Sequence, residues 1–145
     1  MSSQARTGYG TLFQRGNGDG PPETFQTISE TAEINPPQSE ADDVEVTHLN
    51  SPGRRKEYIQ GMSDAGEASV NINWIPDDPT QDHVTGLLAD KNSGAVKTWR
   101  IVLPGGLLTW TFSGYVKSFA PDTISANDPL KATVTIKVTG AESFS

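Results

Sequence analysis

The sequence contains no cysteine, which removes disulfides, thiolate metal sites and cysteine nucleophiles from consideration. Cations are scarce: 11 lysines and arginines stand against 18 acidic residues, for a formal charge of −7. A field of that sign repels nucleic-acid phosphate and anionic lipid, so a duplex-gripping protein is disfavoured. Long apolar runs are missing too. Stretches such as residues 101–103 fall far short of the roughly 20 residues that a spanning helix requires. The opening MSSQARTGYG has neither an apolar segment nor a cleavage-site pattern. Together these features predict a chain made and, at least initially, kept in the cytoplasm, with no membrane partner. Its 145 residues suffice for one cored domain and are too few for two.

Turn formers and alternation are abundant. Fourteen glycines and 10 prolines suit an all-β chain with many turns. Over residues 67–75, Ala68, Val70, Ile72 and Trp74 fall on one face and Glu67, Ser69, Asn71 and Asn73 on the other, the period of a half-buried strand. Residues 131–139 repeat it with Ala132, Val134, Ile136 and Val138 inward, which predicts antiparallel pairing. Residues 96–103 and 108–119 flank Pro104-Gly105-Gly106 and read as a hairpin. Trp110, Phe112 and Val116 share a parity that Phe119 breaks, predicting a bulge or bend near Gly114. Weaker strands are expected at residues 11–14, 24–28 and 44–48. One short helix is expected over about residues 79–90, with Asp78 as cap, Pro79 in its first turn and Val84, Leu87 and Leu88 as its apolar stripe, packed as a lid on the sheet. Asn92 to Gly94 should end it. The fold class is therefore mainly β: an antiparallel β-sandwich or partial barrel with one short α-helix and a long arm loop.

That arm is residues 35–66. It contains Pro36-Pro37, an acidic run from Glu40 to Glu45, Ser51-Pro52-Gly53 and the basic run Arg54, Arg55, Lys56. Few apolar anchors interrupt it. Ordering a residue's backbone costs about 1–2 kcal/mol, which burial must offset, so the arm is expected to be disordered in a monomer and ordered by a partner. The two ends, residues 1–8 and 140–145, are small and polar and are expected to fray.

Sites for chemistry are poorly supported. His48 and His83 have no further ligand at metal spacing, and Asp77, Asp78 and Asp82 lack the pattern of a calcium loop; no metal or cofactor is expected. Gly16-Asn17-Gly18-Asp19-Gly20 is followed by Pro21-Pro22 rather than a helix start, so it reads as a hairpin turn and not a phosphate loop. No nucleophile elbow occurs, and the chain is not expected to be an enzyme. Trp74, Trp99 and Trp110 lie in strand patterns, where aromatics fill core more often than they stack on sugars. The basic run is either a solvated tip or the complement of a neighbouring copy's acidic run, and the second reading is preferred.

The ordered blocks His48-Leu49-Asn50-Ser51-Pro52-Gly53-Arg54-Arg55-Lys56-Glu57-Tyr58-Ile59, Gly61-Met62-Ser63-Asp64-Ala65-Gly66-Glu67, Trp74-Ile75-Pro76-Asp77-Asp78-Pro79, Phe112-Ser113-Gly114-Tyr115-Val116 and Asp128-Pro129-Leu130, leading to Val134-Thr135-Ile136-Lys137-Val138-Thr139-Gly140, resemble the major tail tube protein of long-tailed, lambda-like bacteriophages. Some relatives append an immunoglobulin-like domain; this chain stops at Ser145. The resemblance implies a single tail-tube domain over residues 1–145, assembled as stacked six-membered rings into a hollow tube through which genomic double-stranded DNA passes. It implies that the arm makes intersubunit contacts, with Arg54, Arg55, Lys56, Glu57, Tyr58 and Ile59 as candidates. Asp42, Asp43, Glu45 and Glu67 are candidates for an acidic bore, with outward solvated carboxylates as the alternative. An acidic wall lets DNA slide, whereas fixed cations would release counterions and hold it. The implied partners are other copies of the chain, a tape-measure protein, a tail terminator and distal tail or baseplate proteins. The implied location is the virion tail, with the host cytoplasm during assembly. A monomeric β-sandwich binding or adhesion module is the alternative.

Overall fold

The computed structural model describes residues 7–16 and 24–145. Nine strands and one helix follow in order: β1 (Leu12–Gly16), β2 (Phe25–Thr27), β3 (Thr31–Asn35), β4 (Glu40–Glu45), β5 (Tyr58–Asp64), β6 (Glu67–Asn73), α1 (Leu87–Ser93), β7 (Lys97–Val102), β8 (Thr109–Pro121) and β9 (Lys131–Phe144). Seven strands form one antiparallel sheet in the order β2-β1-β7-β8-β9-β6-β3, and β4 and β5 form a separate hairpin. The large sheet curls until β3 approaches β1. The Ile28 N–H donates to the Phe13 carbonyl at 2.9 Å and the Asn73 N–H to the Glu30 carbonyl at 2.9 Å. The result is a partial barrel.

Period two decides its interior. Ala68, Val70 and Ile72 of β6 and Ala132, Val134, Ile136 and Val138 of β9 are all buried, as the alternation predicts. The two strands pair in continuous register from Glu67↔Lys137 to Asn73↔Lys131. Trp99 of β7 is fully buried, stacks on Phe13 with ring centroids 5.5 Å apart and donates its indole N–H to the Gly114 carbonyl at 3.0 Å. The expected irregularity around Gly114 is present as two register shifts, between Thr111 and Ser113 and between Val116 and Ser118. The second inserts Lys117 and turns Phe119 inward, where it meets Trp74 edge-on at 5.8 Å. That explains the broken parity.

The helix is real but displaced. It spans Leu87–Ser93 rather than residues 79–90 and ends, as expected, at left-handed Gly94. Residues 78–86 form turns because their side chains take the backbone groups that a helix would use. Asp78 Oδ1 accepts from the Thr80 N–H at 2.8 Å, and Asp82 Oδ1 accepts from the Thr85 N–H at 2.7 Å. Gln81 is fully buried: its Oε1 accepts from the Ile75 N–H at 2.7 Å and its Nε2 donates to the Ser29 and Asn73 carbonyls. Val84 is therefore exposed, and Leu87 alone of the predicted stripe is fully buried. The helix does pack on the sheet, against β8.

Two further corrections concern strands. Residues 140–145, expected to fray, extend β9 to Phe144, because Trp110↔Phe144 and Thr111↔Ser143 pair with β8 and Ser145 exchanges backbone hydrogen bonds with Thr109. Thr31–Asn35, which shows no alternation, is a strand by pairing with β6. Residues 17–20 of the glycine-rich turn lie outside the described residues; β1 and β2 pair antiparallel on either side of it.

Candidate assembly surface

β3 ends and β6 begins at the same margin of the barrel, since Asn35 pairs with Ser69, and the arm leaves the body there. Rather than an irregular loop, residues 40–64 form the β4–β5 hairpin, because their backbone groups pair with one another. Its register is Glu45↔Tyr58, Val44↔Ile59 and Asp43↔Gln60, then Ala41↔Ser63 and Glu40↔Asp64. The shift falls at Gly61, where a Cβ would lie 2.9 Å from Val44 Cγ2 and 3.1 Å from the Asp42 carbonyl oxygen.

Directly paired residues share a face, so the hairpin is two-sided. Val44 and Ile59 lie on one side, with Val46 next on the same side and its N–H donating to the Glu57 carbonyl at 2.8 Å. Asp43, Glu45, Gln60 and Tyr58 lie on the other. No described residue covers the apolar side: Val44 is 43% exposed, Ile59 56% and neighbouring Met62 84%. A contiguous apolar strip on a projecting hairpin is a surface awaiting a partner.

The tip is rigidly built. A short 3₁₀ turn spans Pro52–Arg54, with Gly53 and Arg54 at positive φ. Glu57 holds it: its Oε2 accepts from Ser51 Oγ at 2.7 Å and lies 3.4 Å from His48 Nε2, while its N–H donates to Thr47 Oγ1 at 2.8 Å. Glu57 thus serves the tip's own architecture. Arg54, Arg55 and Lys56 are exposed and make no ion pair among the described residues.

The four acidic candidates are not all brought together. Asp43 and Glu45 share the polar face of β4, and Asp42 sits on the other face beside the bulge. Glu67 lies on β6, at the start of the main sheet, ion-paired to Lys117 at 2.6 Å. The hydrogen bond from Lys117 holds its carboxyl below the usual glutamate range. Asp64 at the arm's root is likewise lowered, first by the Gly66 N–H and then by Lys137.

Sequence reasoning missed the polar groups that brace the frame. Arg15 of β1 is buried and donates through Nη1 to Asp90 Oδ2 at 2.8 Å and through Nη2 to the Thr85 carbonyl at 2.7 Å. No local pattern signals a pair so far apart in the chain. Among the described residues no group of three or more His, Cys, Asp or Glu is arranged to hold a metal ion, and no helix is long and apolar enough to cross a membrane.

A family model described as lambda phage tail tube protein matches residues 9–145; the chain belongs to that family, which is a structural one of the virion tail. Comparison with curated proteins finds no match. Among solved structures, the tail of an empty gene transfer agent particle with C6 symmetry is similar at a TM-score of 0.74 and 21% identity, over 97% of this chain and 99% of that one. The sheath/tube terminator of the extracellular contractile injection system PVC gives 0.74 at 16% identity, over 100% and 99%. The SPP1 tail tube gives 0.65 at 9% identity, over 92% and 75%. These likenesses establish the shared fold.

Proposed function

From that membership we propose that copies of this chain close into six-membered rings, stack into a hollow tube and let double-stranded DNA pass through its bore. The single observation that carries the reading is the β4–β5 arm, whose apolar face and cationic tip find no partner among the described residues of the chain. Neighbouring copies supply both. Arg54, Arg55, Lys56, Tyr58 and Ile59 make the contact, and Glu57 holds the tip that presents them. Before assembly the arm is the part of the domain least held by burial, since its own hairpin bonds and the Asp64–Lys137 contact at its root hold it.

The margins of the curled sheet favour the same outcome. Among the described residues β2 and β3 each leave one edge unpaired, and a closed ring removes such edges by continuing the sheet between copies. Asp43 and Glu45, on the polar side of the arm, give the bore its negative charge, while Asp42 stands on the opposite side and Glu67 is offset by Lys117. Screening confines that repulsion to about 8 Å at physiological ionic strength, so DNA is kept off the wall and the axis stays open. The tube's expected companions are a tape-measure protein inside, a terminator at one end and a distal tail or baseplate protein at the other. Assembly takes place in the host cytoplasm.

Negative-stain imaging of the purified chain tests this directly. Hollow tubes are expected from the unmodified protein, and folded monomers without tubes from Arg54→Glu. Concentration-independent monomers on size exclusion, with ligand-quenched tryptophan emission, would instead identify a binding module.

A further inference from the structure

At the root of the arm, β9 departs from regular pairing. Ser113 pairs with Thr139 and Thr111 with Ser143, so residues 140–142 stand opposite Phe112 alone, and Gly140 takes a φ of +81°. Bulges of this kind re-aim side chains. Here the Trp110 indole N–H donates to Glu142 Oε2. The other carboxylate oxygen, Oε1, is shielded from solvent and accepts no hydrogen bond among the described residues. Glu142 and Trp110 line a cleft of about 440 Å³ with Pro37, Ser39, Ala65 and Phe144. The Phe144 ring lies 5.2 Å from that of Trp110.

A carboxylate oxygen withdrawn from water without a donor is costly, and such groups call for an explanation. The complement of a carboxylate set between aromatic rings is a guanidinium, which donates to the oxygens in a planar fork and stacks on the ring faces. Two exposed arginines without ion pairs among the described residues stand at the arm's tip, Arg54 and Arg55. Roughly 30 Å of extended hairpin separates that tip from its own root, and the hairpin pairing keeps it extended. The cleft of one molecule is therefore out of reach of its own tip.

We propose that the Glu142 cleft receives the arginines of a second copy's arm tip. The inference rests on the arm as an intersubunit contact and adds the surface that accepts it. Each copy offers one tip and one cleft, so the contact is heterologous and repeats from copy to copy. The charge match is local; because Oε1 is closed off in the isolated molecule, the Glu142 side chain turns toward the cleft as the guanidinium enters. The match does not depend on the overall negative field.

The absence of cysteine makes the test clean. The full-length chain is assembled and imaged, and Arg55→Cys and Glu142→Cys variants are then mixed with it, co-assembled and oxidised. A disulfide-linked dimer is expected from the mixture of both variants after assembly, and from neither variant alone. Glu142→Gln keeps an acceptor for the Trp110 indole and deletes the charge. It is expected to retain the unfolding midpoint and to lower tube yield by at least about tenfold. If tubes form but Arg54→Cys, Arg55→Cys and Lys56→Cys all fail to link to Glu142→Cys, this contact is overturned and the tube reading stands. A normal tube yield from Glu142→Gln overturns it equally. Absence of tubes from the unmodified chain overturns both.

Discussion

Arg15 on β1 and Asp90 on α1 form an ion pair of 2.8 Å with both residues buried. The pair ties α1 to a strand near the sheet's margin. Burial pushes the Asp90 carboxyl above the usual aspartate range, and the nearby Arg15 only partly offsets that rise. Removing one partner strands the other, so Asp90→Ala should destabilise the domain by about 3–5 kcal/mol. Replacing Arg15 and Asp90 together with apolar residues of similar volume should cost less than Asp90→Ala alone. Urea denaturation of the single and double variants measures the difference.

Acid should weaken the domain. Asp78 is held below the ordinary aspartate value by hydrogen bonds from the Thr80 hydroxyl and N–H, and Asp82 by the Thr85 N–H. A folded pKa below the unfolded one means that the unfolded chain takes up protons first as pH falls. Their stabilisation is complete above the unfolded aspartate value and disappears as pH drops through the folded one. Asp90 runs the other way, its burden easing on protonation. Asp78→Asn should flatten the loss of stability below about pH 4, and Asp90→Asn should steepen it; thermal melts across that range read both slopes.

Gly114 is required by proximity. A Cβ there would stand 2.5 Å from the Lys137 carbonyl oxygen and 3.0 Å from Ile136 Cγ2. β8 and β9 must separate to admit it, which disturbs the carbonyl that accepts the Trp99 indole N–H. Gly114→Ala should cost about 1–3 kcal/mol and red-shift tryptophan emission. An unchanged urea midpoint would refute the close approach.

The arm should behave in the opposite manner. Ile59 is 56% exposed in the isolated chain, so Ile59→Asp should alter stability by no more than about 0.5 kcal/mol while abolishing tubes. Salt should slow assembly, because at 1 M the Debye length shrinks to about 3 Å and the cationic tip loses its reach. Light scattering against ionic strength measures that dependence.

Much of the frame was legible in residue order. Alternation at Ala68–Val70–Ile72 and Ala132–Val134–Ile136 marks faces because a strand's side chains point alternately up and down whatever lies across from them. Parity broken at Phe119 identified a bulge for the same reason. The helix starts later than the sequence predicts because Asp78 and Pro79 satisfy a helix-start pattern locally, whereas Gln81 spends its amide on Ser29, Ile75 and Asn73. Of the assembly surface, the charges of Arg54–Lys56 were visible, and the division of the arm into an apolar and a polar side was not. That division depends on the register of β4 against β5.

The amino-acid order by itself determined the β class, the core-facing residues of β6, β8 and β9, the hairpin at Pro104 and the acidic balance. Each follows from a residue's own chemistry and its immediate neighbours. Only the tertiary structure decided that Thr31–Asn35 and the last residues are strands, that Arg15 meets Asp90, and that Glu142 lies beside Trp110 with one oxygen unpaired. Those outcomes are set by backbone pairing and burial between segments far apart in sequence, and no short-range period encodes such distances.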